Sequence, residues 1–220
     1  GPGSFQGSTY VPGSFLDGAG FNPDNPAGTA WITKLGGLVY DGARAVPDAA
    51  VVTVVHQRGQ TSVPINGANA WPLSIDGFTI TGGAQSDFAG NVNMITGGVK
   101  TPYGATGALI TQGGGVYVHS TVKNMRVTDN IITGNGGSYG GAVRVGTPYV
   151  TVNATALDDN NNTGFVLSRN QIRDNGGTNL AGGVGIFVGN SDYSIDHNAI
   201  CGHHSAEYGG AITAFGYNGS

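Results

Sequence analysis

The chain has 220 residues, 41 of them glycine, well over twice the ordinary share of ~7%. Only 10% are Asp, Glu, Lys or Arg, and the formal net charge is −4. That excludes a charge-laced coiled coil and an acidic or basic tail. Nine scattered Lys and Arg make no nucleic-acid-binding stripe, and the glycines keep no collagen period.

Gly1-Pro2-Gly3-Ser4 reads as a protease-cleavage and cloning scar, so the natural N-terminus, with any signal peptide, is expected to have been removed. Residues 5–50 carry Pro12, Pro23, Pro26, Gly18, Gly20 and Asn25. They predict an irregular extended lead-in that becomes an N-terminal cap, with strands over 31–35 and 50–55. A disordered leader over 5–28 is the alternative. No stretch approaches the ~18 apolar residues of a membrane span. The single Cys201 forms no internal disulfide and says nothing of redox compartment.

Residues 51–220 read as a repeat. The segments 125–132 (MRVTDNII), 165–172 (FVLSRNQI) and 193–200 (YSIDHNAI) share an apolar-polar alternation leading to Asn-x-Ile. Five residues after each Asn come Asn135, Asn175 and His203. Each unit then passes a glycine pair (Gly140-Gly141, Gly182-Gly183, Gly209-Gly210) into a second alternating run at 142–145, 184–188 and 211–214. Weaker copies lie at 75–83 and 113–118, separated by a glycine-rich excursion, and an insertion falls within 146–164. Sustained helical periodicity is absent from 76–220.

Units of two or three short strands bury their apolar face only by stacking, with equivalent strands paired in parallel at about 4.8 Å per coil. Asn tolerates a left-handed backbone, and its amide can bond the equivalent Asn of the next coil. Asn130, Asn170 and Asn198, with Asn135 and Asn175, therefore predict internal asparagine ladders. His203 stands at the third position of the second ladder.

The Asn-x-Ile unit followed by Asn and a glycine pair, with the run IDGFTITGG at 75–83, resembles the parallel β-helix repeats of the pectate-lyase-like superfamily. The runs NGGTNLAGG (175–183) and CGHHSAEYGG (201–210) resemble coils of very large secreted bacterial proteins. The resemblance covers about residues 36–220. It implies an all-β, right-handed parallel β-helix of a bacterial secreted or cell-surface protein, with coils expected to continue past Ser220. Enzymes of this group act on acidic polysaccharides by lyase or hydrolase chemistry. Their signatures are missing here: neither the lyase Arg-x-Pro-x-x-Arg segment nor the polygalacturonase Asn-Thr-Asp and Arg-Ile-Lys motifs occur. The primary expectation is a non-catalytic scaffold, or a domain binding a polysaccharide or surface glycan.

Candidate sites are few. The column before the ladder reads Asp129, Arg169, His197, with Asp76 one level earlier. Arg169 can hold a uronate carboxylate while His197 acts as base, or the column is a solvated ion pair. Cys201, His197, His203 and His204 contain zinc or copper ligand types, but strand alternation splits them across faces, so neither metal nor cofactor is expected. Asp158 and Asp159, followed by three asparagines, supply oxygens for calcium or form a plain turn. Tyr139 and Tyr208 precede glycine pairs two coils apart, with Ala181 between them, and can stack on a sugar or pack under a loop. An open last coil predicts end-to-end self-association through Ile212 and Phe215.

Overall fold

A computed structural model describes residues 3–6, 9–18, 26, 29–30, 33, 50–55, 73–83, 103–104, 107–108, 114–119, 122–137, 140–146, 162–177, 181–187, 190–205 and 208–214. Strands β1 (Gly3–Gln6) and β2 (Thr9–Pro12) form an antiparallel hairpin where an irregular lead-in is expected. Pro26, Thr29, Ala30 and Thr33 have helical backbone. The strand predicted over 31–35 is thus corrected at Thr33, the residue of it that is described. Its hydroxyl donates to the Thr29 carbonyl one helical turn back (2.8 Å).

The remaining strands recur in levels. The first level has β3 (Phe15–Asp17) and β4 (Val52–Val55). The second has β5 (Ser74–Asp76), β6 (Thr79–Thr81), a two-residue hairpin of β7 (Tyr103–Gly104) and β8 (Gly107–Ala108), then β9 (Val116–His119). Four strands make the third level: β10 (Arg126–Thr128), β11 (Ile131–Thr133), β12 (Gly136–Gly137) and β13 (Val143–Val145). The fourth repeats this with β14 (Val166–Ser168), β15 (Gln171–Arg173), β16 (Gly176–Gly177) and β17 (Val184–Ile186). The last has β18 (Ser194–Asp196), β19 (Ala199–Cys201), β20 (His204–Ser205) and β21 (Ile212–Ala214).

Equivalent strands pair in parallel, giving four stacked sheets: β5-β10-β14-β18, β3-β6-β11-β15-β19, β12-β16-β20 and β4-β9-β13-β17-β21. The architecture is all-β with predominantly parallel sheets, consistent with a parallel β-solenoid. Two sequence readings are corrected. The weaker copies at 75–83 and 113–118 are not separate units, because β5, β6 and β9 all pair with strands of one level, the third. The glycine pairs are also out of step. Val143 is level with Val184 and Ile212, so Gly183 aligns with Ala142 and Ala211.

Each strand triplet points its middle or flanking apolar residues inward. Ile80, Ile132 and Ile172 form one fully buried column, Val127 and Leu167 another, and Val143, Val145, Val184 and Ile186 a third group. Burying each such side chain contributes roughly 1.5–3 kcal/mol. Corners are made by single residues in the left-handed region. Gly77, Asp129, Arg169 and His197 occupy one column with φ of 76°, 56°, 57° and 52°. Gly82, Gly134, Asp174 and Gly202 occupy the next, with φ from 55° to 75°.

Glycine is demanded most where β12-β16-β20 presses on the chain entering the fourth sheet. A methyl group at Gly182 would collide with the carbonyl oxygens of His204 and Gly210, and one at Gly141 with those of Gly182 and Gly176. Both contacts are to backbone, which has no flexible end to move aside.

Candidate functional site

One residue after the first corner column, the chain turns a side chain inward. Asn130 Nδ2 donates to Oδ1 of Asn170 (3.0 Å), and Asn170 Nδ2 donates to Oδ1 of Asn198 (2.9 Å). The main-chain N–H of each upper residue donates to the same oxygen below. The amides also donate to carbonyls of the preceding level, at Ile75, Val127 and Leu167. Asn135 and Asn175 repeat this geometry, and Gly83 N–H closes the second ladder onto Asn135 Oδ1. His203 continues it as an amide mimic. Its Nδ1 accepts from Asn175 N–H (3.2 Å), and its Nε2 lies 3.0 Å from the Ile172 carbonyl, which fixes the proton on Nε2. Burial holds its pKa below the ordinary histidine value.

The side chains at the corner itself point to solvent. Arg169 makes a two-pronged ion pair with Asp129, Nε to Oδ1 at 2.9 Å and Nη2 to Oδ2 at 2.6 Å, with the two side chains 58% and 43% exposed. That contact holds the Asp129 carboxyl below its usual range and raises Arg169. His197, more exposed still, turns to Asp196 instead, Nδ1 to Oδ1 at 2.8 Å. Asp129, Arg169 and His197 thus share one column, but the fourth member is corrected. The register puts Gly77, not Asp76, at this corner, because a left-handed φ of 76° favours glycine.

Asp76 lies one residue earlier, in a strip that sequence reasoning missed. There the level residues are Asp76, Thr128, Ser168 and Asp196. Thr128 donates its hydroxyl to Asp76, while Ser168 (2.5 Å) and Ser194 (2.6 Å) donate theirs to Asp196. The hydroxyl of Ser168, then that of Ser194 and the His197 ring, push the Asp196 carboxyl well below the usual carboxylate range. The signal was present as polar residues at one repeat position, but alternation alone does not tell a hydroxyl strip from solvated polar residues. Chemically the corner is a fixed set of charged carboxylates, one guanidinium and one imidazole. Glycoside hydrolysis needs a carboxyl kept protonated beside a charged one, and the shifts of Asp129 and Asp196 both run toward the charged form.

The histidine and cysteine group does not converge. Both nitrogens of His203 are engaged in the ladder, the His204 ring occupies the space beside Gly176, His197 is paired with Asp196, and Cys201 is exposed level with Arg173. Among the described residues no group of three His, Cys, Asp or Glu is placed to hold a metal. Asp158, Asp159, Tyr139 and Phe215 lie outside the described residues. Tyr208 is exposed on the last level. Ala181 is level with Gly140 and Gly209, not with Tyr208, which follows from the same one-residue shift at the glycine pairs.

A second polar feature was not anticipated. Arg144 and Tyr117 are level neighbours, each only 2% exposed although they alternate with core valines. The guanidinium lies 4.2 Å from the ring centroid, Nε donates to the Gly146 carbonyl (2.9 Å) and Nη2 reaches the Tyr117 hydroxyl (3.3 Å). Gly185 occupies the next level beside Arg144.

No family model, curated protein or solved structure matches this chain.

Proposed function

We propose that the chain is a right-handed parallel β-helix of the pectate-lyase-like kind, from a secreted or cell-surface bacterial protein, and that it acts as a non-catalytic scaffold meeting a polysaccharide or surface glycan. Right-handedness follows from the general preference of parallel crossovers. One observation carries the non-catalytic reading. The charged groups of the corner are already engaged with one another, Arg169 clamped by Asp129 and Asp196 held by Ser168, Ser194 and His197. A lyase needs its arginine open to a uronate, and a hydrolase needs a protonated acid.

Incubation with acidic and neutral polysaccharides, following unsaturated and reducing ends, tests it together with affinity electrophoresis on the same glycans. The expected result is no product and retarded migration in at least one glycan gel. Product formation abolished by His197→Ala overturns the scaffold reading and establishes the alternative, a lyase or hydrolase using Asp129, Arg169 and His197. The exposure of Arg169 and His197 side by side favours that alternative. Neither product nor retardation overturns glycan binding.

A further inference from the structure

The two ladders differ in the residue that follows each asparagine. Asn130, Asn170 and Asn198 precede Ile131, Gln171 and Ala199, whereas Asn135 and Asn175 precede Gly136 and Gly176. Each of those glycines opens a two-residue strand, β12 or β16, and the two strands pair in parallel. Packing fixes the glycine at 176, where a methyl group would strike the His204 ring. Gly136 has room, since a methyl group there would meet nothing nearer than the Gly83 carbonyl oxygen at 4.0 Å.

An asparagine followed by glycine carries a reaction of its own. The glycine nitrogen, unshielded by a side chain, attacks the asparagine Cγ, Nδ2 leaves as ammonia, and a five-membered succinimide closes. Water then opens the ring at either carbonyl, giving aspartate or isoaspartate. A Cβ on the following residue crowds the attacking nitrogen and narrows the backbone conformations that reach the ring. The fold occupies both reacting groups. Gly136 N–H donates to the Gly83 carbonyl (2.6 Å), and Gly176 N–H to the Asn135 carbonyl (2.9 Å). Asn135 Nδ2 donates to the Ile80 carbonyl (3.1 Å) and to Asn175 Oδ1 (3.0 Å), while Asn175 Nδ2 donates to the carbonyls of Ile132 (2.9 Å) and Arg173 (2.8 Å). Both asparagines are buried, which also keeps out the water that the second step consumes.

We propose that Asn135-Gly136 and Asn175-Gly176 are latent self-modification sites, held shut by the second ladder and released when these levels open. The product does not return to the fold. Aspartate has no donor for the carbonyls of Ile80, Ile132 and Arg173, and it buries an unpaired charge. Isoaspartate adds a methylene to the main chain just before β12 or β16, so Gly136-Gly137 no longer matches Gly176-Gly177. Lasting unfolding thereby becomes one-way at the second ladder, while the first, whose asparagines precede residues with side chains, keeps its amides. The proposal is independent of the glycan reading.

The whole chain is incubated folded and in guanidinium chloride, in mildly alkaline buffer, and moved to refolding conditions at intervals. Peptide maps score the amide-to-acid mass gain and isoaspartate at every asparagine, including Asn66 and Asn218, which also precede glycine and lie outside the described residues. Conversion at Asn135 and Asn175 is expected in the unfolded chain and is slower in the folded chain by at least about thirtyfold, the factor implied by stranding two buried donors. Asn130, Asn170 and Asn198 stay amides in both. After size exclusion, chains converted at Asn135 or Asn175 are expected in the fraction that fails to refold and not in the refolded one. Gly136→Ala slows conversion at residue 135 and leaves residue 175 at the parent rate; the maps of the unfolded chains compare the two whether or not the variant folds. Equal rates in the folded and unfolded chain overturn the proposal. So do an unfolded chain that stays unconverted at both sites and converted chains that refold.

Discussion

Residues 129, 169 and 197 and residues 130, 170 and 198 form two columns one residue apart, built by the same register and repeating at the same intervals of 40 and 28 residues. The outer column bonds across levels through an ion pair in water, the inner through amides in a buried interior. Their hydrogen-bond lengths are alike, between 2.6 and 3.0 Å. What separates them is the cost of leaving a partner unmet. Water replaces a lost partner at the corner and cannot reach the ladder.

The comparison is broken most severely at Asn170. Asn170→Gly strands the Asn130 N–H and side-chain amide and removes the amide bonds to the carbonyls of Val127 and Ser168, of which Ser168 keeps a donor in Asp129 N–H. At about 1–3 kcal/mol for each of the two buried donors left unsatisfied, the loss is roughly 2–6 kcal/mol. A fall in the urea midpoint of that size, or failure to fold, is the expected outcome.

Next in size is Gly182→Ala, where two fixed carbonyls, of His204 and Gly210, meet the new methyl. Overpacking of this kind costs roughly 1–3 kcal/mol. The damage is expected in the last two levels, where amide hydrogen exchange should accelerate before it does around Ile80 and Ile132.

A third test sharpens what an amide does that an imidazole does not. His203 accepts through Nδ1 from a main-chain N–H, so protonation sets two donors against each other. Burial lowers its pKa below 6.5; Asp174 nearby acts in the opposite sense and His204 in the same one. The folded state therefore binds its proton less readily than the unfolded chain. Stability contributed here is complete above pH 6.5, falls as pH drops below 6.5, and levels off beneath the folded pKa. Asp129 and Asp196 are depressed carboxylates, whose contributions are lost only below about pH 4. The urea midpoint is expected to drop between about pH 7 and pH 5 in the parent chain and to stay flatter in His203→Asn.

The chemistry local to one repeat was legible in the sequence. Asn-x-Ile spacing predicts parallel stacked strands because amides and isoleucines at fixed offsets state which residues face inward. The glycine pairs were read one residue out of step. Gly140-Gly141-Ala142, Ala181-Gly182-Gly183 and Gly209-Gly210-Ala211 are nearly equivalent chemically, and the valines of β13 and β17 decide between them. Asp76 was placed at the corner because Asp129 stands there, although the left-handed φ selects Gly77. The stacking of Arg144 on Tyr117 joins residues 27 apart across levels, and no pattern within either strand encodes it.

The smallest effect separates the two columns most sharply. Arg169→Gly makes, one residue earlier, the substitution that is ruinous at Asn170. It deletes an exposed ion pair, whose value is small and screened by salt. It also releases a side chain from φ of 57°, a conformation glycine adopts without strain. Loss and gain oppose each other, so the urea midpoint is expected to stay close to that of the parent, with the remaining difference shifting toward the variant as salt rises. A large loss at Arg169 would mean that the corner charges help hold the levels together, and the distinction between a structural interior and a dispensable flank would fail.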